Sequence, residues 1–181
     1  MKHVCVFCGG NPGSRPEYGQ AARAFGTALA ARGLGLVFGG SNKGLMGAVA
    51  SGALNGGGHV IGVLPRVLTA TETPFPELAD LRLVDSMAER KALMLALSDA
   101  CVALPGGYGT LDELFETITL SQLGVHALPG WLLNVCGYFD ALEAFLDHAS
   151  REGLLQPQHR ALLPMVTNPE ALADLLADTL R

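Results

Sequence analysis

The chain alternates short, unbroken apolar runs with longer segments in which apolar residues recur every three or four positions. The runs at 3–8 (HVCVFC), 34–40 (LGLVFGG), 59–65 (HVIGVLP), 81–85 (LRLVD), 100–107 (ACVALPGG) and 131–135 (WLLNV) predict strands. Segments 17–33, 44–57, 87–99, 111–124 and 138–149 predict helices, and 169–180 an amphipathic helical tail. Residues 66–80, rich in Pro and Thr, predict a loop. Strands that are apolar at every position are covered on both faces, and strands separated by helices run parallel. The pattern therefore predicts an α/β fold: one doubly wound domain over 1–181, with a mostly parallel sheet and helices on both faces.

Composition narrows the function classes. At 181 residues the chain suits one domain that buries about 70% of its unfolded surface. It is 49% hydrophobic and 16% charged, which argues against disorder. The net charge of -5, with no basic block, argues against nucleic acid or a membrane surface as partner. No apolar stretch approaches the ~20 residues of a membrane span. The first residues, MKHVCVFCGG, enter a strand directly, so a signal peptide is not expected and a cytoplasmic location is the default. Cys5 and Cys8 form a C-x-x-C, but no second close Cys or His pair completes a zinc site, and small buried strand residues are the expectation; no metal is expected.

The glycines carry the first chemical signal. Gly9-Gly10, Gly39-Gly40 and Gly106-Gly107 each follow a predicted strand, at the edge where open parallel sheets hold their ligands. Glycine there lets backbone N–H groups approach a ligand, and the next helix N-terminus favours an anion. The pattern points to a nucleotide or sugar-phosphate. Neither a G-x-G-x-x-G after the first strand nor a G-x-x-x-x-G-K-[ST] is present.

Two helix starts add charged candidates. Thr110 and Glu113 have capping-box spacing, which makes Glu113 either a structural cap or a carboxylate held beside a ligand. Ser86 and Glu89 have the same spacing, so a helix starts near Met87. Arg90 and Lys91 then fall in or just past its first turn, where cations oppose the helix dipole. They are either a solvated pair or a response to an anion at that helix mouth. Arg90 could face Glu113 across one cleft. His59, His148 and His159 read as surface or strand-end residues, and no chemistry is assigned to His126.

The segment PGGYGTLDE (105–113) resembles the P-G-G-x-G-T-x-x-E signature of the Lonely Guy family, the cytokinin riboside 5′-monophosphate phosphoribohydrolases often labelled lysine decarboxylases. VFCGG (6–10), GGSNKGLMG (39–47), HVIGVLP (59–65), SMAERK (86–91), SQLGVH (121–126) and LLNVCGYFDAL (132–142) are similar to further family segments, in family order. The resemblance covers about residues 3–155. Ala88 stands where His is common, Gly10-Asn11 replaces a common Ser-Ser, and LPGW (128–131) replaces the usual KPVG.

The resemblance implies a modified Rossmann fold, a homodimer, and cofactor-free, metal-free hydrolysis of the N-glycosidic bond of adenine-type nucleoside 5′-monophosphates. The products would be free base and ribose 5-phosphate. On matching positions it implies Arg90 and Glu113 as the catalytic pair. Gly106, Gly107, Gly109 and Thr110 would hold the phosphate, with Met87 and Lys91 lining the nucleotide site. Two rivals stand beside it. A pyridoxal-phosphate decarboxylase would need a Schiff-base lysine, for which Lys91 is the candidate among Lys2, Lys43 and Lys91. A non-catalytic nucleotide or molybdenum-cofactor binding protein of the same fold would need the glycine loops but neither Arg90 nor Glu113.

Overall fold

The computed structural model describes residues 1–69 and 73–181. Among the described residues seven strands form one sheet: β1 (His3–Phe7), β2 (Gly35–Phe38), β3 (Val60–Pro65), β4 (Asp80–Val84), β5 (Ala100–Ala103), β6 (Gly130–Leu133) and β7 (Met165–Val166). Their spatial order is β4-β3-β2-β1-β5-β6-β7, and every strand pairing is parallel. The helices are α1 (Pro16–Ala31), α2 (Gly44–Asn55), α3 (Met87–Ala96), α4 (Tyr108–Gln122), α5 (Asp140–Arg151), α6 (Pro157–Arg160) and α7 (Pro169–Thr179).

Alternation along each strand sorts the core into two layers. Val4 and Val6 of β1 join Phe25 of α1, Val49 of α2 and Leu172 of α7 on one face. Cys5 and Phe7 point the other way, to Met94 of α3, Leu114 of α4 and partly buried Leu142 and Leu146 of α5. Small residues bring α1 and α2 into backbone contact: a Cβ on Gly26 would lie 2.1 Å from the Val49 carbonyl oxygen, and one on Gly52 2.1 Å from that of Arg23. The doubly wound, parallel α/β fold read from the sequence is the fold observed.

Several boundaries differ from expectation. The pair β7 and α6 were not foreseen, because two- and four-residue elements show no periodicity. The segment 66–80 contains a 3-10 turn at Arg66–Leu68 and a single antiparallel bridge between Ser41 and Pro74; residues 70–72 within it lie outside the described residues. Helix α3 starts as its capping box predicts. Ser86 Oγ accepts from the Glu89 amide at 3.1 Å, while the Glu89 carboxylate accepts from the Asp85 amide at 2.8 Å, one residue earlier than the ideal box. Helix α4 departs from its predicted start: it opens at Tyr108, three residues ahead of the expected Leu111, with Gly107 as N-cap and no side-chain cap. Thr110 and Glu113 therefore lie inside the helix and form no capping box.

The chain builds outward from β1 to β4 on one side, then crosses back to place β5 on the other side of β1. The loops after β1 and β5 diverge there, which opens a crevice at the carboxyl ends of both strands. Among the described residues no helix is long and apolar enough to cross a membrane.

Candidate active site

That crevice is a cleft of about 430 Å³, within the size range of small-molecule sites. One wall is the loop after β1, Gly9 to Gly13; another is the turn from Pro105 into α4; Gly39, Leu45, Met46, Met87 and Met94 supply the apolar remainder. Gly9 ties three segments together. Its N–H donates to the Pro105 carbonyl at 3.0 Å, and its carbonyl accepts from the Leu45 amide at 3.0 Å. A Cβ on Gly106 would lie 2.0 Å from Thr110 Oγ1 and 2.9 Å from the Gly9 nitrogen, so only glycine admits this packing.

Arg90 and Glu113 meet at the floor. Arg90 comes from α3, with Nη1 3.3 Å from Glu113 Oε1 and Nε donating to the Val63 carbonyl at 3.1 Å. Both side chains are about nine-tenths buried. Gly39 makes room for the guanidinium, since a Cβ there would stand 2.0 Å from Arg90 Nη2. Burial raises the Glu113 pKa above its ordinary 4.5, and the Arg90 charge opposes that rise only in part. A carboxylate held this way keeps its proton at higher pH than a surface glutamate, which suits a base working near neutrality.

The uncapped start of α4 completes the site. With no side chain on its first amides, the helix mouth is left to an anion, and the dipole favours one. Gly106, Gly107, Gly109 and Thr110 all line the cleft there.

The structure gathers Met87, Arg90, Gly106, Gly107, Gly109, Thr110 and Glu113 around one cleft. Lys91 is not among the lining residues. Its ammonium donates to Asp112 at 3.0 Å and pairs with Glu116, both on α4. Those bonds, to Glu116 first and then Asp112, raise the Lys91 pKa. Other lining residues were given no site role in the sequence, although all but Tyr18 lie in or beside the family-like segments: Asn11, Tyr18, Met46, Asp112 and Tyr138. The repeated glycine turns marked the cleft edge, but no local spacing marked these side chains.

Cys5, Cys8 and Cys101 are buried free thiols, and burial pushes the Cys101 thiol up to about 12. Among the described residues no group of three or more His, Cys, Asp or Glu side chains is placed to hold a metal ion.

A family model described as "possible lysine decarboxylase" matches residues 46–176. A probable cytokinin riboside 5′-monophosphate phosphoribohydrolase of Oryza sativa subsp. japonica is 52% identical over 94% of this chain and 74% of its own length. The chain belongs to the Lonely Guy family.

A second Lonely Guy relative, a cytokinin riboside 5′-monophosphate phosphoribohydrolase of Arabidopsis thaliana, is 44% identical over 98% of this chain and 84% of its length. Solved structures share the architecture at lower identity. A molybdenum cofactor binding protein from Rippkaea orientalis superposes with a TM-score of 0.74 at 20% identity, covering 100% of this chain and 99% of that one. DNA processing protein A of Helicobacter pylori does so with a TM-score of 0.64 at 17% identity, covering 98% and 81%. These two establish the fold alone.

The decarboxylase description would call for pyridoxal phosphate on a lysine of lowered pKa. Lys91 does not fit that group: its pKa is raised and its ammonium faces two carboxylates. Lys2 and Lys43 do not line the cleft.

Proposed function

We propose that this protein hydrolyses the N-glycosidic bond of adenine-type nucleoside 5′-monophosphates, cytokinin riboside 5′-monophosphate and AMP among them, releasing free base and ribose 5-phosphate. The observation that carries the reading is the Arg90–Glu113 pair, buried beside an uncapped helix N-terminus at the sheet's crossover point. The phosphoribohydrolase activity of the Arabidopsis thaliana relative supports it.

The 5′-phosphate sits on Gly106, Gly107, Gly109 and Thr110, where backbone amides and the α4 dipole neutralise it. Anchored at that remote end, the sugar is positioned over the Glu113 carboxylate. As the C1′–N bond lengthens, its electron pair moves to the base nitrogen and positive charge builds on the ribose ring. Glu113 stabilises that charge and takes a proton from the water that attacks C1′. The proton ends on the departing base. Arg90 stabilises the base through hydrogen bonding and is not an acid, since guanidinium keeps its protons in proteins. Met87 borders the nucleotide. Lys91 acts one step back: it neutralises Asp112, a carboxylate that lines the same cleft as the phosphate.

The chain works as one nucleotide-binding domain over 1–181, in the cytoplasm, as a homodimer, without nucleic acid as partner. Exposed Leu123 and Val125 beyond the cleft offer apolar surface for a second copy.

The test is a product assay with AMP, prenyl-AMP, GMP, CMP and adenosine, following free base and ribose 5-phosphate. Base release from AMP or prenyl-AMP, with adenosine turned over far more slowly, is expected. Tight AMP binding with no base released from any nucleotide would overturn the hydrolase reading in favour of a binding protein.

A further inference from the structure

Among the described residues, Tyr138 is the one side chain that hydrogen-bonds to the backbone of the glycine turn from outside that turn, and no role was assigned to it within the family-like segment LLNVCGYFDAL. Its hydroxyl donates to the Gly106 carbonyl at 2.6 Å, across 32 positions of chain. From this hydrogen bond we infer that Tyr138 is a positioning residue for the phosphate: it fixes the rotation of the Gly106–Gly107 peptide unit so that the Gly107 N–H, not the Gly106 carbonyl, is presented to the anion. The inference rests on the proposed placement of the 5′-phosphate at 106–110.

The need for such a clamp follows from the turn itself. Two consecutive glycines bear no Cβ on either side of their shared peptide, so that unit rotates with less hindrance than any other. Its two ends have opposite effects on an anion. The N–H donates to it; the carbonyl oxygen repels it. Gly107 is also the N-cap of α4, where no side chain holds the turn in register. A Cβ added to Gly107 would meet nothing within 4 Å, so packing does not fix this peptide from that side either. A charge-free phenol is suited to the task, because it engages the carbonyl dipole without competing for the phosphate.

Tyr138 is in turn rigidly carried. It follows a 3-10 turn, Val135–Gly137, in which Cys136 takes a left-handed φ of 53°. Buried Asn134 secures that turn from both ends: its Oδ1 accepts from the Phe139 amide at 2.8 Å, and its Nδ2 donates to Asp140 Oδ1 at 2.7 Å. Phe139 is 2% exposed and anchors the next position in the core. The Tyr138 ring stands edge-on to Phe139 at 5.0 Å and to Tyr18 at 5.7 Å between centroids. Tyr18 and Tyr138 both line the cleft. A left-handed non-glycine residue, a buried amide and two ring contacts thus converge on one hydroxyl, and that hydroxyl meets one carbonyl.

The test is Tyr138→Phe, which removes the hydroxyl and keeps the ring. Affinities for AMP, ribose 5-phosphate and adenosine are measured on parent and variant by calorimetry, with KM and kcat for AMP and a melting curve. We expect AMP and ribose 5-phosphate to weaken by about tenfold, the scale of one lost hydrogen bond in a site. Adenosine, which has no phosphate, should bind as before; KM should rise with kcat little changed. A general loosening of the fold would weaken adenosine as well. If the variant keeps the parent's ratio of AMP to adenosine affinity, the positioning role is overturned while the phosphate site stands. If the parent itself binds AMP and adenosine equally, the phosphate placement fails, and the role of Tyr138 with it.

Discussion

Nη1 of Arg90 stands 3.3 Å from Oε1 of Glu113, and this contact joins α3 and α4 across the floor of the cleft. Glu113 is no helix cap: α4 begins at Tyr108, and Glu113 lies about one and a half turns in. Glu113→Gln should therefore cost roughly 10²-fold or more in turnover, the scale of lost acid–base and electrostatic catalysis. Stability at neutral pH should fall by no more than about 3–5 kcal/mol, the scale of a broken buried pair, because Gln leaves the buried Arg90 charge unpaired but also removes a poorly solvated carboxylate. Turnover near that of the parent would move the reacting carboxylate elsewhere, with Asp112 in the same cleft the first alternative.

The raised pKa of Glu113 has two signatures. The carboxylate must be ionised to act as base, so the acidic limb of the rate profile should lie above pH 4.5. Between 4.5 and the raised folded value, the folded state keeps a proton that the unfolded chain has lost. The contribution of Glu113 to stability is thus greatest below 4.5 and declines as pH rises through that window. Melting curves of parent and Glu113→Gln across this range should show the decline in the parent alone. A parent rate that stays flat down to pH 4.5 would contradict the assignment.

Arg90 serves two acceptors at once, Glu113 and the Val63 carbonyl. Arg90→Lys keeps the charge but not the planar fork, so it should restore little of the activity lost in Arg90→Ala. Steady-state kinetics on both variants, with circular dichroism to verify folding, would decide this. A lysine variant at parental rate would reduce Arg90 to a point charge.

Gly39 should tolerate no side chain. Its Cβ would stand 2.0 Å from Arg90 Nη2 and 2.8 Å from Met46 Sδ. Gly39→Ala should fold, since the clash falls on side chains rather than backbone, yet lose roughly tenfold or more in kcat/KM by displacing the guanidinium. Parental kinetics in a folded variant would mean that Arg90 has freedom the structure does not show.

Lys91→Met leaves Asp112 and Glu116 without their shared cation. Extra negative charge beside the proposed phosphate position should raise KM for AMP several-fold with kcat little altered, and added salt should narrow the gap by screening. A fall in kcat at constant KM would instead give Lys91 a part in the chemistry.

Native thiol titration should find one reactive cysteine of four. Cys136 is exposed, whereas Cys5, Cys8 and Cys101 are buried, and burial pushes their thiols up. A second fast-reacting thiol would reopen a redox reading of the C-x-x-C.

Legibility in the sequence followed the range of the interactions. The unbroken apolar runs of β1, β2, β3 and β5 announced their burial, since both faces of each are covered. The Ser86–Glu89 cap placed the start of α3 because it is a contact over three positions. The same spacing at Thr110–Glu113 misled, because Gly106 and Gly107 let the chain enter the helix a turn early and local spacing alone cannot sense that. Lys91 turned to α4, and Tyr138 reached Gly106, through contacts spanning 21 and 32 positions. Such choices are made by the packed fold and leave no trace in a short window.

The position of β5 has a temporal consequence. It pairs with β1 in the register Val4↔Ala100, so the crevice exists only once segments nearly a hundred residues apart have zipped together. Strand pairings of that separation are slow to close because chain entropy is spent before the contact is gained. A nascent chain ending at residue 65 would hold β1, β2, β3, α1 and α2, yet neither Arg90 nor Glu113. Catalysis in a refolding experiment is thus a late clock, one that starts only when the two halves of the sheet have found each other.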